Sequence, residues 1–117
     1  MKQIKKIIMS FVHAGRGIAD GFGGRSFKIQ VLAAIIVIAL GFVVKLSVEK
    51  WAIIIVLIAV VLSAELFNSS IENLSNIVRD TQKLEYGVTR KARDLAAGAV
   101  LVIAIVAVVI AALVFLA

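Results

Sequence analysis

Three stretches of this chain, residues 29–44, 51–64 and 95–117, contain no charged side chain. At about 1.5 Å per residue, roughly 20 apolar residues in a helix cross a hydrocarbon layer about 30 Å thick. The pattern therefore predicts three spanning helices, over residues 28–46, 50–72 and 94–117. Lys28 and Lys45, which bracket the first run, are long enough to snorkel to the interface and make up the missing length. The chain is 62% hydrophobic with a mean hydropathy of +1.11, far beyond what a soluble domain of this size needs. An all-α integral membrane fold in a single domain, residues 1–117, is the expectation.

Other classes fit less well. A membrane β-barrel needs many alternating segments of about ten residues, and none is present. The first nine residues are basic with little apolar core and no small-residue cleavage site after them, which argues against a cleavable leader. There is no cysteine, so disulfides and thiol chemistry are excluded, and no proline forces a kink.

Basic residues set the expected orientation. Six of them precede the first span (Lys2, Lys5, Lys6, Arg16, Arg25, Lys28), and five lie between the second and third (Arg79, Lys83, Arg90, Lys91, Arg93). The turn between the first and second spans has only Lys45 and Lys50. Because basic loops stay on the cytoplasmic side, the N-terminus and the segment 73–93 should face the cytoplasm and the C-terminus the outside. In a bacterium this is a multi-pass protein of the inner or plasma membrane. The charge excess fits topology and anionic lipid contact, a polyanionic cytosolic substrate would use the same charges, and no nucleic-acid partner is expected.

Residues 1–24 read as a surface helix and a glycine-rich turn. Ile4, Ile7, Ile8, Phe11 and Val12 follow the helical apolar period, with Lys2, Lys5, Lys6, His13 and Arg16 at polar positions, as an in-plane amphipathic helix requires. Gly21, Gly23 and Gly24 then mark a hinge into the first span. A phosphate cradle is the sharper reading of these glycines, but no Gly-Lys-Ser/Thr follows them.

Within the second span, Glu65, Asn68 and Glu72 fall within about 60° of one another on a helix and form one polar stripe. Measured from Trp51 at the outer interface, Glu65 lies ~21 Å along the helix, Asn68 ~25 Å and Glu72 ~31 Å. Glu65 is thus within the inner leaflet and Glu72 at its surface. Ionisable groups at such depth are costly and point to function. By itself the stripe is compatible with proton or cation relay, interhelical hydrogen bonding or catalysis. Two carboxylates on one face repel unless a cation or shared proton intervenes, and a hard cation such as Mg²⁺ prefers oxygen ligands. A carboxylate at the depth of Glu65 could also serve as a general base. Asp94, beside Arg93 at the start of the last span, either caps that helix or joins the stripe in a site.

The stretches Ala64-Glu-Leu-Phe-Asn-Ser-Ser-Ile-Glu-Asn73 and Ala92-Arg-Asp-Leu-Ala-Ala-Gly-Ala-Val100 resemble the two signatures of the prokaryotic diacylglycerol kinase and undecaprenol kinase family, small trimeric membrane lipid kinases. Ser10-Phe-Val-His-Ala-Gly-Arg-Gly-Ile18 is similar to the start common in its Gram-positive members. The resemblance implies transfer of the γ-phosphoryl of ATP, with Mg²⁺, to a lipid hydroxyl of diacylglycerol or undecaprenol. It makes Glu65 the general base and Asn68 its hydrogen-bonding companion, with Asp94 an acid of the active site. Glu72 would bind the metal of the nucleotide, and Arg93, where lysine is usual, its phosphates; Tyr86 and Arg16 join the nucleotide set. It also implies a homotrimer.

Departures from the family pattern bear on activity. Gly24 stands where many members carry a second metal-binding glutamate, and Asp20, about a turn earlier, is the substitute candidate ligand. Asn76 occupies a position usually held by Asp, and the loop reads Glu85-Tyr86-Gly87 in place of Glu-Tyr-His. An ATP-dependent lipid kinase is the reading favoured by Glu65, Asn68, Glu72 and Asp94 together. A non-catalytic relative that binds lipid or a partner is the alternative, favoured by Gly24 and Asn76.

Overall fold

The computed structural model describes all 117 residues as four α-helices. They are α1 (Lys2–Gly21), α2 (Arg25–Val44), α3 (Val48–Gln82) and α4 (Tyr86–Leu116). The last three are long and apolar enough to cross a membrane. At about 1.5 Å per residue, α2 is roughly 30 Å long, matching the hydrocarbon core, whereas α3 and α4 run to roughly 52 Å and 46 Å. Both therefore project beyond the bilayer. Residues 73–82 continue α3 and residues 86–93 begin α4, so the polar segment between the second and third spans is helical except at Lys83–Glu85. Its charged residues alternate with Leu74, Ile77 and Val78 and contain no glycine or proline before Gly87, so nothing in it stops a helix early.

The helix ends follow local chemistry. Gly23 and Gly24 donate backbone hydrogen bonds back to Asp20 and Gly21, and this tight turn separates α1 from α2. Ser47 caps α3, its hydroxyl accepting from the Lys50 backbone N–H at 3.4 Å, with Glu49 in the first turn where an acid suits the helix dipole. Lys45 and Lys83, both with positive φ, end α2 and α3 in the left-handed conformation that glycine usually supplies.

α3 is the centre of the molecule. It pairs along its length with α4, packs against α2 more loosely, and touches the end of α1. At the start of α3 Trp51 lies over Gly41 and 4.8 Å from the Phe42 ring, and Lys50 Nζ donates to the Ala117 carbonyl at 3.0 Å. The assembly of helices is only 19 Å across in its thinnest dimension. Among apolar side chains only Phe27, Ile54, Ala96 and Val114 are buried. Most apolar surface therefore faces outward, as suits helices whose neighbours are lipid tails or further copies of the chain.

Candidate functional site

The stripe is built as its spacing requires. α3 runs unbroken through Glu65, Asn68 and Glu72, which places all three on one side. Glu65 is buried, with 5% of its surface exposed, although it is a carboxylate. The polar groups that face it are the Gln30 amide of α2 and the Glu72 carboxylate further along its own helix. Asn68 donates from Nδ2 to Glu72 Oε1 at 3.4 Å. Its other amide atom, Oδ1, is buried and has no partner. An unpaired buried acceptor is costly, and it is satisfied once a donor such as a hydroxyl arrives.

On the side of Glu65 away from Glu72, α2, α3 and α4 enclose an open apolar cleft of about 260 Å³. Twelve of its thirteen lining residues are apolar, and Gln30 is the exception. The cleft thus runs from Ile54 and Ala111 to a polar end at Gln30, one turn of α2 from the buried Phe27. Ala33, Ala34, Ala104, Ala107 and Ala111 keep it open, since none fills the space between the helices.

The close approach of α1 to this end depends on a missing side chain. A Cβ at Gly21 would lie 2.5 Å from Leu66 Cδ2, next to Glu65 in sequence, so any larger residue there must displace the tip of that side chain. Phe22 and Phe27 meet edge to face at 4.9 Å across the turn.

A second cluster occupies the projecting ends of α3 and α4. The Arg93 guanidinium donates to Asn76 Oδ1, donates from Nε to Thr89 Oγ1 at 3.2 Å, and lies 4.9 Å from the centre of the Tyr86 ring. Arg79 approaches the same ring at 5.9 Å and pairs with Asp80 at 3.1 Å. Asp94 lies well inside α4 and pairs with Arg90 at 2.7 Å on the exposed surface. It does not cap the helix; Glu85 holds that position, because α4 begins a full two turns earlier than its apolar run.

Other expected members stand apart. Arg16 and Asp20 are exposed on α1 and belong to neither of the two ion pairs, Arg79–Asp80 and Arg90–Asp94. No three His, Asp or Glu side chains gather as a metal-binding group. Gln30, Gly21, Asn76 and Thr89 are the residues that sequence reasoning missed as participants. A polar Gln30 inside an apolar run and an Asn76 one turn past Glu72 were visible signals. Nothing local distinguishes Gly21 from its neighbouring glycines.

The prokaryotic diacylglycerol kinase family model matches residues 12–115. The chain belongs to that family. Its matched region takes in the polar stripe, the cleft and the Arg93 cluster. An undecaprenol kinase of Bacillus subtilis (strain 168) is 38% identical over 115 residues, which is 97% of this chain and 91% of the relative. No solved structure matches the chain. As a member of the prokaryotic diacylglycerol kinase family, this multi-pass membrane protein is a lipid kinase, and its reaction is nucleotide-dependent.

Proposed function

We propose that this kinase transfers the γ-phosphoryl of ATP to the hydroxyl of undecaprenol or diacylglycerol, with undecaprenol favoured by the name of its relative. The observation that carries the reading is a buried carboxylate, Glu65, that faces Gln30, the one polar residue lining the apolar cleft, with an exposed carboxylate, Glu72, two turns further along α3. The cleft would take the acceptor's hydrocarbon and deliver its hydroxyl to Glu65. Glu65 removes the hydroxyl proton as the lipid oxygen bonds to the γ-phosphorus, the bond to the β-phosphate oxygen breaks, and ADP leaves. Asn68 Oδ1, buried without a partner, would accept a hydrogen bond from the hydroxyl or from the newly protonated Glu65.

The oxygen donors fit a cation that arrives with its nucleotide. Mg²⁺ is commonly held by one or two carboxylates and the substrate's phosphates, not by an all-protein cage. Glu72 accepts only one hydrogen bond, from Asn68, and would hold the cation with its remaining lone pairs. Bound there, Mg²⁺ neutralises charge that builds on the phosphates during transfer. Arg93, Tyr86 and Asp94 line the same projecting end and would meet the rest of the nucleotide.

The orientation follows the basic residues: α1 and the projecting ends of α3 and α4 lie on the cytoplasmic side, where ATP is, and the Trp51 end lies outside. The apolar residues of α1, exposed from Ile4 to Phe11, would rest on the cytoplasmic leaflet. A homotrimer would cover outward-facing helix surface that one chain leaves bare.

The decisive experiment offers undecaprenol and diacylglycerol in parallel in mixed micelles with labelled ATP and Mg²⁺. Labelled lipid is expected from the wild type, and Glu65→Gln should lower kcat by about 10²-fold or more. Folded wild-type protein that labels neither lipid would overturn the reading, and unchanged turnover in Glu65→Gln would remove the assigned base.

A further inference from the structure

The acceptors around Arg93 are all uncharged. Asn76 contributes an amide oxygen, Thr89 a hydroxyl and Tyr86 an aromatic face, and the nearby Asp80 and Asp94 carboxylates are paired with Arg79 and Arg90 instead. A guanidinium has five N–H donors in a fixed plane. Two are engaged here, so the group is oriented while three donors and its full charge stay available. Arginine in this state suits phosphate recognition, because the planar fork is fixed before the anion arrives. The contacts also span two helices: Asn76 lies on α3, one turn beyond Glu72, and Arg93 lies on α4.

We propose that Asn76 is a positioning residue which, with Thr89 and Tyr86, aims Arg93 at the phosphates of the nucleotide without neutralising it. Thr89 is buried, so its hydroxyl has little choice of partner. It accepts from Arg93 and donates to the Tyr86 carbonyl at 3.3 Å, which fixes the start of α4 as well. Asn76 then ties that start to the helix that carries Glu72. The cation site and the phosphate site are held in register by one hydrogen bond between helices.

This rests on the lipid-kinase reading above but is tested by nucleotide binding itself. Binding of a fluorescent, non-hydrolysable ATP analogue with Mg²⁺ is measured for full-length protein in detergent. Asn76→Leu, which keeps the volume and removes the acceptor, should weaken binding about tenfold, and Thr89→Val should weaken it in the same direction. Asn76→Asp restores the acceptor but neutralises the guanidinium, so it should fall between Leu and wild type. In an Arg93→Leu background, Asn76→Leu should have no further effect, a result that a purely structural role would not give. Wild-type affinity in both folded Asn76→Leu and Thr89→Val overturns the proposal, as does a wild type that binds no analogue. If wild type labels lipid while those variants keep their affinity, only the clasp fails. If wild type binds the analogue yet labels no lipid, only the lipid-kinase reading fails.

Discussion

Asn68 donates to Glu72 at 3.4 Å, one turn of α3 apart, while its own carbonyl oxygen is buried without a hydrogen-bond partner. One amide thus links the exposed carboxylate to the ground beside the buried one. Asn68→Leu removes both functions at about constant volume. It should lower kcat roughly tenfold to a hundredfold, the range for a lost hydrogen bond to a charged or reacting group, with lipid KM little changed. Asn68→Asp should be worse, because a third carboxylate joins two that already repel. Initial rates with each substrate varied in turn would check this, and a folded Asn68→Leu enzyme with normal kcat would contradict it.

The close approach of Gly21 to Leu66 brings the end of α1 beside the turn of α3 that carries Glu65. A Cβ there meets the flexible tip of Leu66, so Gly21→Ala should be tolerated by rotation of that side chain. Gly21→Val adds bulk that the tip cannot avoid and should push α1 away, at a cost of about 1–3 kcal/mol. The double variant Gly21→Val with Leu66→Ala should recover much of the loss. Thermal unfolding and lipid-kinase rate measured on all three variants would show whether the coupling is real; additive effects would mean it is not.

At the opposite end Gly41 is more sharply constrained. Its Cβ would lie 2.7 Å from Trp51 Cη2 and 2.9 Å from Cζ2, and that rigid ring is also in contact with Phe42. Gly41→Ala should therefore destabilise by about 1–3 kcal/mol. Trp51→Leu should relieve most of it in the double variant. Because the site is far away, kcat of the folded fraction should not move, which separates this packing contact from that of Gly21.

The spans and the stripe could be read from the sequence because each rests on a regular pattern: an uncharged run long enough for a bilayer, and polar residues at helical spacing. The family signatures at Glu65–Glu72 and Arg93–Asp94 were legible through their resemblance to known kinases, not through periodicity. The projecting helix ends were not, since a polar segment between spans looks like a loop until its lack of glycine and proline is given weight. What the pattern could not supply was contact between helices. Gln30 near Glu65, Gly21 on Leu66 and Asn76 on Arg93 each join residues distant in the chain, and helical periodicity carries no information about which faces meet.

The alanines of the apolar cleft suggest a direct test of where the acceptor's tail lies. Ala107 lines the cleft from α4, among apolar side chains and opposite the α3 residues Ile54 to Leu62 that share it. Ala107→Leu would fill part of its 260 Å³ with side chain. The expected outcome is a lipid KM raised several-fold, on the order of 1 kcal/mol for the apolar contact displaced, with ATP KM unchanged. Unchanged lipid KM in folded Ala107→Leu would place the tail elsewhere on the helix surface.

The metal site leads to the last expectation. Glu72 is a single exposed carboxylate, and Gly24, where the resemblance described above implies a second one, offers no ligand at all. Yet Gly24 could carry one. Its φ of −91° and ψ of 140° are ordinary extended values open to any residue, and a Cβ there would stand 3.4 Å from the Gly21 carbonyl oxygen, in normal contact. The position is also the N-cap of α2, where a carboxylate is favoured by the helix dipole. Gly24→Glu should therefore fold, and a second carboxylate that joins Glu72 on the cation should lower the Mg²⁺ concentration for half-maximal rate by about tenfold, since each added anionic oxygen ligand strengthens a hard-cation site. Titrating Mg²⁺ at fixed ATP in both proteins would measure it. The gain should vanish in the Gly24→Glu, Glu72→Gln double variant, because the new carboxylate acts only alongside the old one; a gain that survives there would assign the cation to other ligands.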